Sequence, residues 1–335
     1  MTHTLISPLD MHLHLRDEAM LKVVAPLSAY SFVGGIIMPN IVPPITSIEA
    51  VIAYKERIIN AIGNALFEPL MTLFFRSDYT REFLEKAAVH VKALKLYPSG
   101  ITTNSEGGVA NMDIEALRPV LEAMSDFGLI LCVHGETNGF VMDREKEFCS
   151  VYESLAKAFP KLKIVMEHIT TKESVALLDR YENLYATITL HHLLITLDDV
   201  AGGMLQPHLF CKPIAKRYED REALLYVSLK AHPKVMFGSD SAPHPIHKKE
   251  CCGCAAGVFT APIALQALVE LFEKHNVLAN LQAFVSNNAQ TIYSYKAPYK
   301  EVLLEKLPFQ VTHSYDDIVP MFANKTLAWS INRVV

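Results

Sequence analysis

Two histidines two residues apart, with an arginine two further on, close the first apolar run of this chain, "PLDMHLHLRDEAM" at residues 8–20. In a β-strand, residues i and i+2 share a face with Cα atoms ~6.6 Å apart. Asp10, His12, His14 and Arg16 are therefore expected to point one way, with Leu13 and Leu15 pointing the other. Further along, Asn40 closes "FVGGIIMPN", Lys95 lies in "VKALKLYP", His134 in "LILCVHGE" and His168 in "KIVMEHIT"; Asp240 and His244 lie in "KVMFGSDSAPH". Four histidines and an aspartate from separate segments make a plausible Zn²⁺ shell, with imidazole at ~2.0–2.1 Å and carboxylate oxygen at ~2.0–2.2 Å. One zinc needs three protein ligands plus water, so five donors suggest two ions ~3.5–4 Å apart that share a bridge. Lys95 does not fit such a site as an ammonium, because a cation beside two dications in a low-dielectric interior is strongly unfavourable. Reaction of its amine with CO₂ would give an anionic, bidentate carbamate. With Asp240 and a bridging hydroxide, that carbamate offsets most of the charge of the two ions.

Each signal also has a plainer meaning. The H-x-H pair fits chance strand histidines about as well as a ligand pair, and a single strand-end histidine is usually a satisfied polar core residue. Lys95 could snorkel or pair with Glu136, and Asp240 could be a turn or N-cap residue. Their shared placement at the ends of successive apolar runs is what accidents do not produce.

The elements that would position these residues are eight β-rich runs, at 4–15, 32–40, 68–75, 91–98, 129–136, 163–170, 184–193 and 234–244. Between them lie segments with apolar residues three or four apart, such as "SIEAVIAYKERIINAI" (47–62), "MDIEALRPVLEAMSDFG" (112–128) and "DREALLYVSLKAH" (220–232). This alternation predicts an α/β fold, a (β/α)8 TIM barrel with the metal site at the C-terminal ends of its strands. No G-x-G-x-x-G follows the first strand, which removes the commonest reason to prefer a doubly wound sheet. No linker or repeat divides the chain. Residues 1–335 read as one domain, with 276–335 as helices and loops that complete or cover the barrel.

The chain is 50% hydrophobic and 20% charged with a formal net charge of −5; its mean hydropathy is +0.19 and its pI about 6.3. That supports a large core, and without a Lys/Arg-rich run a nucleic-acid partner is disfavoured. No apolar stretch approaches a membrane span, and the N-terminus lacks the layout of a signal peptide. Six cysteines are too sparse for a disulfide scaffold, which points to a reduced, cytoplasmic setting. Cys251, Cys252 and Cys254 cluster near His247, but the spacing lacks a second pair, so a further structural zinc is not expected. Cys132, Cys149 and Cys211 are expected to be buried thiols, and His191 and His192 to serve packing or outer hydrogen bonding.

D-x-H-x-H in the first strand, a strand lysine, two later strand histidines and a final-strand aspartate resemble the amidohydrolase superfamily. Within it, "DMHLHLRD", "IIMPNIVPPITS", "KLYPSGITTNSEGGV", "EHITTK", "PHLFCKPI" and "GSDSAPHPIHKKE" are similar to the shorter bacterial dihydroorotases. That family cyclises N-carbamoyl-L-aspartate reversibly to L-dihydroorotate in pyrimidine biosynthesis. The resemblance implies His12, His14, Lys95 and Asp240 as ligands of one zinc, with carboxylated Lys95, His134 and His168 as ligands of the other. It implies Arg16, Asn40 and His244 on the substrate carboxylate, and Asp240 as the catalytic proton carrier. Backbone at Lys212 and Ala256 would meet the pyrimidine ring. The family has an apolar residue where Lys212 stands, and its side chain is expected to point away; "CAAG" also leaves Ala255 as a neighbour candidate to Ala256. "PSGITTNSEGG" (98–108) resembles a lid loop with Thr102 and Thr103 as donors. A homodimer acting on a small molecule is implied. The alternatives are another cyclic amidohydrolase, of hydantoinase or dihydropyrimidinase type, and a non-catalytic scaffold relative.

Overall fold

The computed structural model describes all 335 residues. Its centre is an eight-stranded parallel sheet in consecutive order. The strands are β2 (Leu9–Leu13), β3 (Gly34–Ile37), β4 (Glu68–Phe74), β5 (Ala93–Leu96), β6 (Ile130–Val133), β7 (Ile164–Met166), β8 (Leu184–Ile188) and β9 (Val235–Phe237). A parallel bridge between Leu13 and Ser241 joins the last strand's extension to the first, with Asp240 N–H donating to His12 O at 2.8 Å and His14 N–H to Ser241 O at 3.2 Å. The sheet thus closes into the expected α/β barrel. Closure brings residues 228 apart in sequence into hydrogen bonding, so the seam itself assembles part of the site.

Helices follow the strands, as the apolar spacing required. Ile48–Ile62 is capped by Ser47, whose hydroxyl accepts from Ala50 N–H, and Ile114–Asp126 is capped by Asp113. A large cluster packs these helices on the outer faces of the strands. A smaller one, including Met11, Met38, Ala93, Cys132 and Met236, fills the lower barrel interior.

Several boundaries differ from the sequence reading. The first run splits: β1 (Thr2–Ile6) ends at Ser7, which has φ +48°, and Pro8, so only Leu9–Leu13 enters the barrel. The register between β2 and β3 shifts between Asp10 and Leu13, a bulge that breaks simple alternation. The seventh run ends at Ile188, and His191 and His192 lie in the short helix Leu190–Leu194, capped by the Thr189 hydroxyl. Residues 276–335 hold strands as well as helices and loops. β10 (Glu301–Glu305) pairs antiparallel with β1 and with the terminal strand Ser330–Val334, forming a small sheet outside the barrel.

Candidate metal centre

The strand ends bring His12, His14, Lys95, His134, His168 and Asp240 to one mouth of the barrel. His14 Nε2 lies 3.0 Å and His12 Nε2 3.5 Å from Asp240 Oδ1. His134 Nδ1 lies 3.2 Å from His168 Nε2. Two donors bound to one tetrahedral zinc are separated by roughly 3.3–3.6 Å, given bond lengths of ~2.0–2.2 Å. Both groups are therefore spaced close to the edges of a coordination polyhedron before any ion is considered. The donor chemistry fits as well. Lys95 is fully buried and its Nζ has no hydrogen-bond partner, so it neither snorkels nor pairs with Glu136.

Buried carboxylates aim the imidazoles. His12 Nδ1 is 2.7 Å from Glu167 Oε2, which leaves Nε2 facing Asp240. His134 Nε2 is 2.8 Å from Glu136 Oε2, which turns Nδ1 toward His168. Each pair is the carboxylate–histidine arrangement that fixes a ligand's tautomer. Burial drives His12 down to about 4, and holds His14 and His168 well below the ordinary histidine range. All three are thus neutral, as metal ligands must be. Burial likewise lowers Lys95, which favours the amine that can react with CO₂. Burial opposes ionisation of Glu167, but its interactions with His12, Lys95 and Thr187 outweigh it and hold the carboxyl at about 2.

The backbone is bent at these residues. Arg16, His168 and Asp240 have φ of +58°, +40° and +43°, a left-handed region that such residues seldom occupy. Local bonds hold them there: Tyr54 Oη–H donates to Arg16 O at 2.6 Å, and Thr187 Oγ1 accepts from His168 N–H at 2.7 Å. Gly238 keeps the seam close, since a Cβ there would lie 2.9 Å from both His12 Cβ and Thr187 Cβ.

Above the donors is a small cavity lined by His12, His14, Arg16, Asn40, Thr102, Thr103, His134, His168, Lys212, Asp240 and Ala256, together with Tyr97, Ala242 and Gly257. Lys95 is not one of the lining residues. His244 stands beside the cavity, its Nε2 3.1 Å from Arg16 Nη2 and 3.0 Å from Ala256 O. Asp10 does not converge with His12 and His14; its carboxylate accepts Ser239 N–H at 2.8 Å and His12 N–H at 3.3 Å, pinning the first strand to the last. The Lys212 side chain does not point away: it lines the cavity and donates to Ile101 O at 3.1 Å. Cys132 and Cys211 are buried, Cys149 half-buried, and Cys251 and Cys252 exposed. Cys251 and Cys254 contact only backbone oxygens, and the cysteine cluster joins no group of metal-ligand geometry. His191, His192 and Cys211 do lie together, but His192 is engaged by Thr189 Oγ1 and Pro213 O, and Cys211 by Pro213 O.

A family model described as "Amidohydrolase family" matches residues 4–298. The chain belongs to the amidohydrolase family. This amidohydrolase is 47% identical to a curated protein of Helicobacter pylori (strain HPAG1) named dihydroorotase, over 99% of each chain. It superposes on a dihydroorotase crystal structure from Campylobacter jejuni with a TM-score of 0.95 and 55% identity, covering 99% of this chain and 98% of that one. A dihydroorotase from Saccharomyces cerevisiae in complex with 5-fluoroorotic acid gives 0.93 at 33% identity, with 99% and 98% covered.

Several residues that shape the site had no separate place in the sequence reading. Tyr97 was findable, because it lies two residues beyond Lys95 on the same strand face. Glu145 was not. It is a buried helix carboxylate that accepts from the N–H and hydroxyl groups of Thr170 and Thr171 and from the Ser174 hydroxyl, clamping the segment after His168. Lys249 sits in what reads as an exposed charge run, yet it is buried. Its Nζ donates to Phe210 O (3.1 Å), Ala255 O and Gly257 O (both 2.7 Å), tying two cavity-lining segments together. Burial lowers its pKa to about 8, opposed by the neighbouring Cys254 and Cys211.

Glu167→Gln should weaken divalent-metal binding about 10- to 100-fold through loss of the His12 orienting bond, read by competition with a chromophoric chelator. Lys249 carries its clamping charge below about 8 and loses it as the pH rises through that value. The substrate KM should therefore climb across that range in the unaltered protein. In Lys249→Met it should be high throughout, with that inflection absent.

Proposed function

We propose that this chain catalyses the reversible cyclisation of N-carbamoyl-L-aspartate to L-dihydroorotate and water, a step of pyrimidine (UMP) biosynthesis, as a cytoplasmic homodimer and a single domain. One observation carries the reading. Two groups of closely spaced donors, His12 and His14 with Asp240 and His134 with His168, stand with an unpartnered buried lysine near a small cavity, and a guanidinium lines that cavity. Full-length relatives named dihydroorotase, and a structural relative that binds 5-fluoroorotic acid, support a carboxylated pyrimidine-type ring as the ligand class.

In this reading His12, His14, Asp240 and a carboxylated Lys95 would hold one zinc, and Lys95, His134 and His168 would hold a second. When bound, the pair of cations supplies Lewis acidity toward the amide carbonyl and a hydroxide nucleophile at neutral pH. Arg16 offers a planar fork to the substrate carboxylate, with His244 and Asn40 as further partners. Backbone at Lys212 and Ala256 reads the ring edge, and Thr102 and Thr103 close over it. Asp240 moves the proton. In the hydrolytic direction its carboxylate takes the proton released by the attacking oxygen and gives it to the ring nitrogen as the C–N bond breaks. In cyclisation it takes the proton of the carbamoyl nitrogen as that nitrogen attacks the carboxyl carbon, and delivers it to the departing oxygen. Burial raises Asp240 above the usual carboxylate range, the direction that makes a carboxylate a more competent base.

A hydantoinase-type reading, with an uncharged cyclic amide, leaves the Arg16–His244 pair without an anion to bind. A non-catalytic scaffold leaves the donor set without a purpose, since none of its members is missing. Dihydroorotate should be turned over at least about 10²-fold more efficiently than dihydrouracil, because the latter leaves the buried cationic rim unpaired. Asp240→Asn should lower kcat about 10²- to 10⁴-fold while retaining part of the metal. Equal use of both substrates, or an unimpaired Asp240→Asn enzyme, would overturn the assignment.

A further inference from the structure

We propose that Lys212 is a positioning residue that latches the 98–108 loop over the cavity, so that one cationic side chain couples ligand occupancy to closure. This rests on the reading of the cavity as the substrate site.

The loop is organised mainly from within. Gly100 N–H and Gly108 N–H donate to Ser105 O, and Val109 N–H to Tyr97 O. Thr102 N–H donates to Ser105 Oγ, which donates back to Thr102 O. Gly100 sits at φ +71°, so the turn into the tip uses the conformation glycine adopts at least cost. Three hydrogen bonds reach the 101–104 tip from outside. Two involve Asn40: its Nδ2 donates to Thr103 O at 3.0 Å, and its O accepts from Asn104 Nδ2 at 2.9 Å. The third is Lys212 Nζ to Ile101 O at 3.1 Å. Asn40 follows β3, whereas Lys212 lies in the connection between β8 and β9. The tip is therefore held from two separate places on the barrel rim, and the Lys212 bond spans the mouth.

Lys212 stands on a braced segment. On one side Phe210 O accepts from Lys249 Nζ. On the other, Pro213 O lies 3.0 Å from His192 Nε2 and accepts from Cys211 Sγ–H at 3.3 Å, and His192 is itself fixed by Thr189. This gives the buried His192–Cys211 pair a purpose: it braces the segment from which Lys212 reaches the loop. The same lysine lines the cavity. Its ammonium adds a second positive group to a rim that already carries Arg16, where an anionic ligand is favoured. An apolar residue at this position could offer the loop neither the bond nor the charge.

The test is hydrogen exchange of the ligand-free protein together with steady-state kinetics on dihydroorotate. In Lys212→Met, exchange across residues 99–105 should quicken about tenfold, since loss of one charge-assisted bond shifts a local opening equilibrium by that order. Exchange in the Ile48–Ile62 helix should be unchanged, which reports an intact fold. KM should rise about tenfold with kcat altered less than about threefold, and Lys212→Arg should restore both readouts in large part. Unchanged loop exchange in Lys212→Met overturns the latch, whatever happens to KM, because a direct ligand contact alone would move KM without moving the free loop. Faster loop exchange in a protein that does not process dihydroorotate would leave the latch standing and remove the proposed reaction instead.

Discussion

The structure turns on one buried lysine. Lys95, the penultimate residue of β5, has no exposure and no hydrogen-bond partner, and an isolated ammonium in that position costs several kcal/mol. No carboxylate pairs with it, and the contact it does make is with the face of the Tyr97 ring, 5.2 Å from Nζ. Glu167, the carboxylate whose field favours its charge most, gives Oε2 to His12 and Thr187, and its buried Oε1 makes no bond to the lysine. Around Lys95 stand imidazoles that burial keeps neutral and a cavity of small volume. The proposed carbamate, with imidazoles and Asp240 beside it around two cations, would remove the cost of a lysine so placed. The other features of the site serve to hold those donors where two ions would need them.

Holding them requires local strain and its compensation. Arg16, His168 and Asp240 each take a left-handed backbone, at roughly 1–3 kcal/mol apiece for such conformations. These bends swing side chains from strand ends over the barrel axis. Hydrogen bonds from Tyr54, Thr187 and the His12 carbonyl secure each one. Beyond them, Glu145 collects the Thr170, Thr171 and Ser174 donors, and Lys249 collects three carbonyls. Both are charged groups satisfied almost wholly by the polar atoms they organise, the condition under which a buried charge stabilises a loop instead of destabilising it.

How much of this was legible in the sequence depends on range. The barrel was legible because eight apolar runs alternate with 3.6-period segments, and the donors were legible because polar residues fell at the ends of those runs. Period-two spacing grouped His12 with His14 and could have added Tyr97 to Lys95. It failed for Asp10, because a bulge between Asp10 and Leu13 resets the alternation. The break of the first run at Ser7–Pro8 was written in residue types, but the reason for it was not: β1 leaves the barrel to pair with a strand about 300 residues later. Lys249, Glu145 and the Lys212 bond to Ile101 were invisible for the same physical reason. Their partners are backbone groups or hydroxyls distant in sequence, and composition carries no trace of such pairings.

These donors are proposed to hold two cations with a carboxylated Lys95 between them. Native mass spectrometry of protein purified in bicarbonate without chelator tests this proposal most directly, with acid-denatured intact mass as the control. The account predicts two zinc ions per chain together with the added mass of one CO₂, all lost on acid unfolding and all absent from Lys95→Met. A chain that binds two ions with Lys95 unmodified, or that keeps both ions in Lys95→Met, would contradict it.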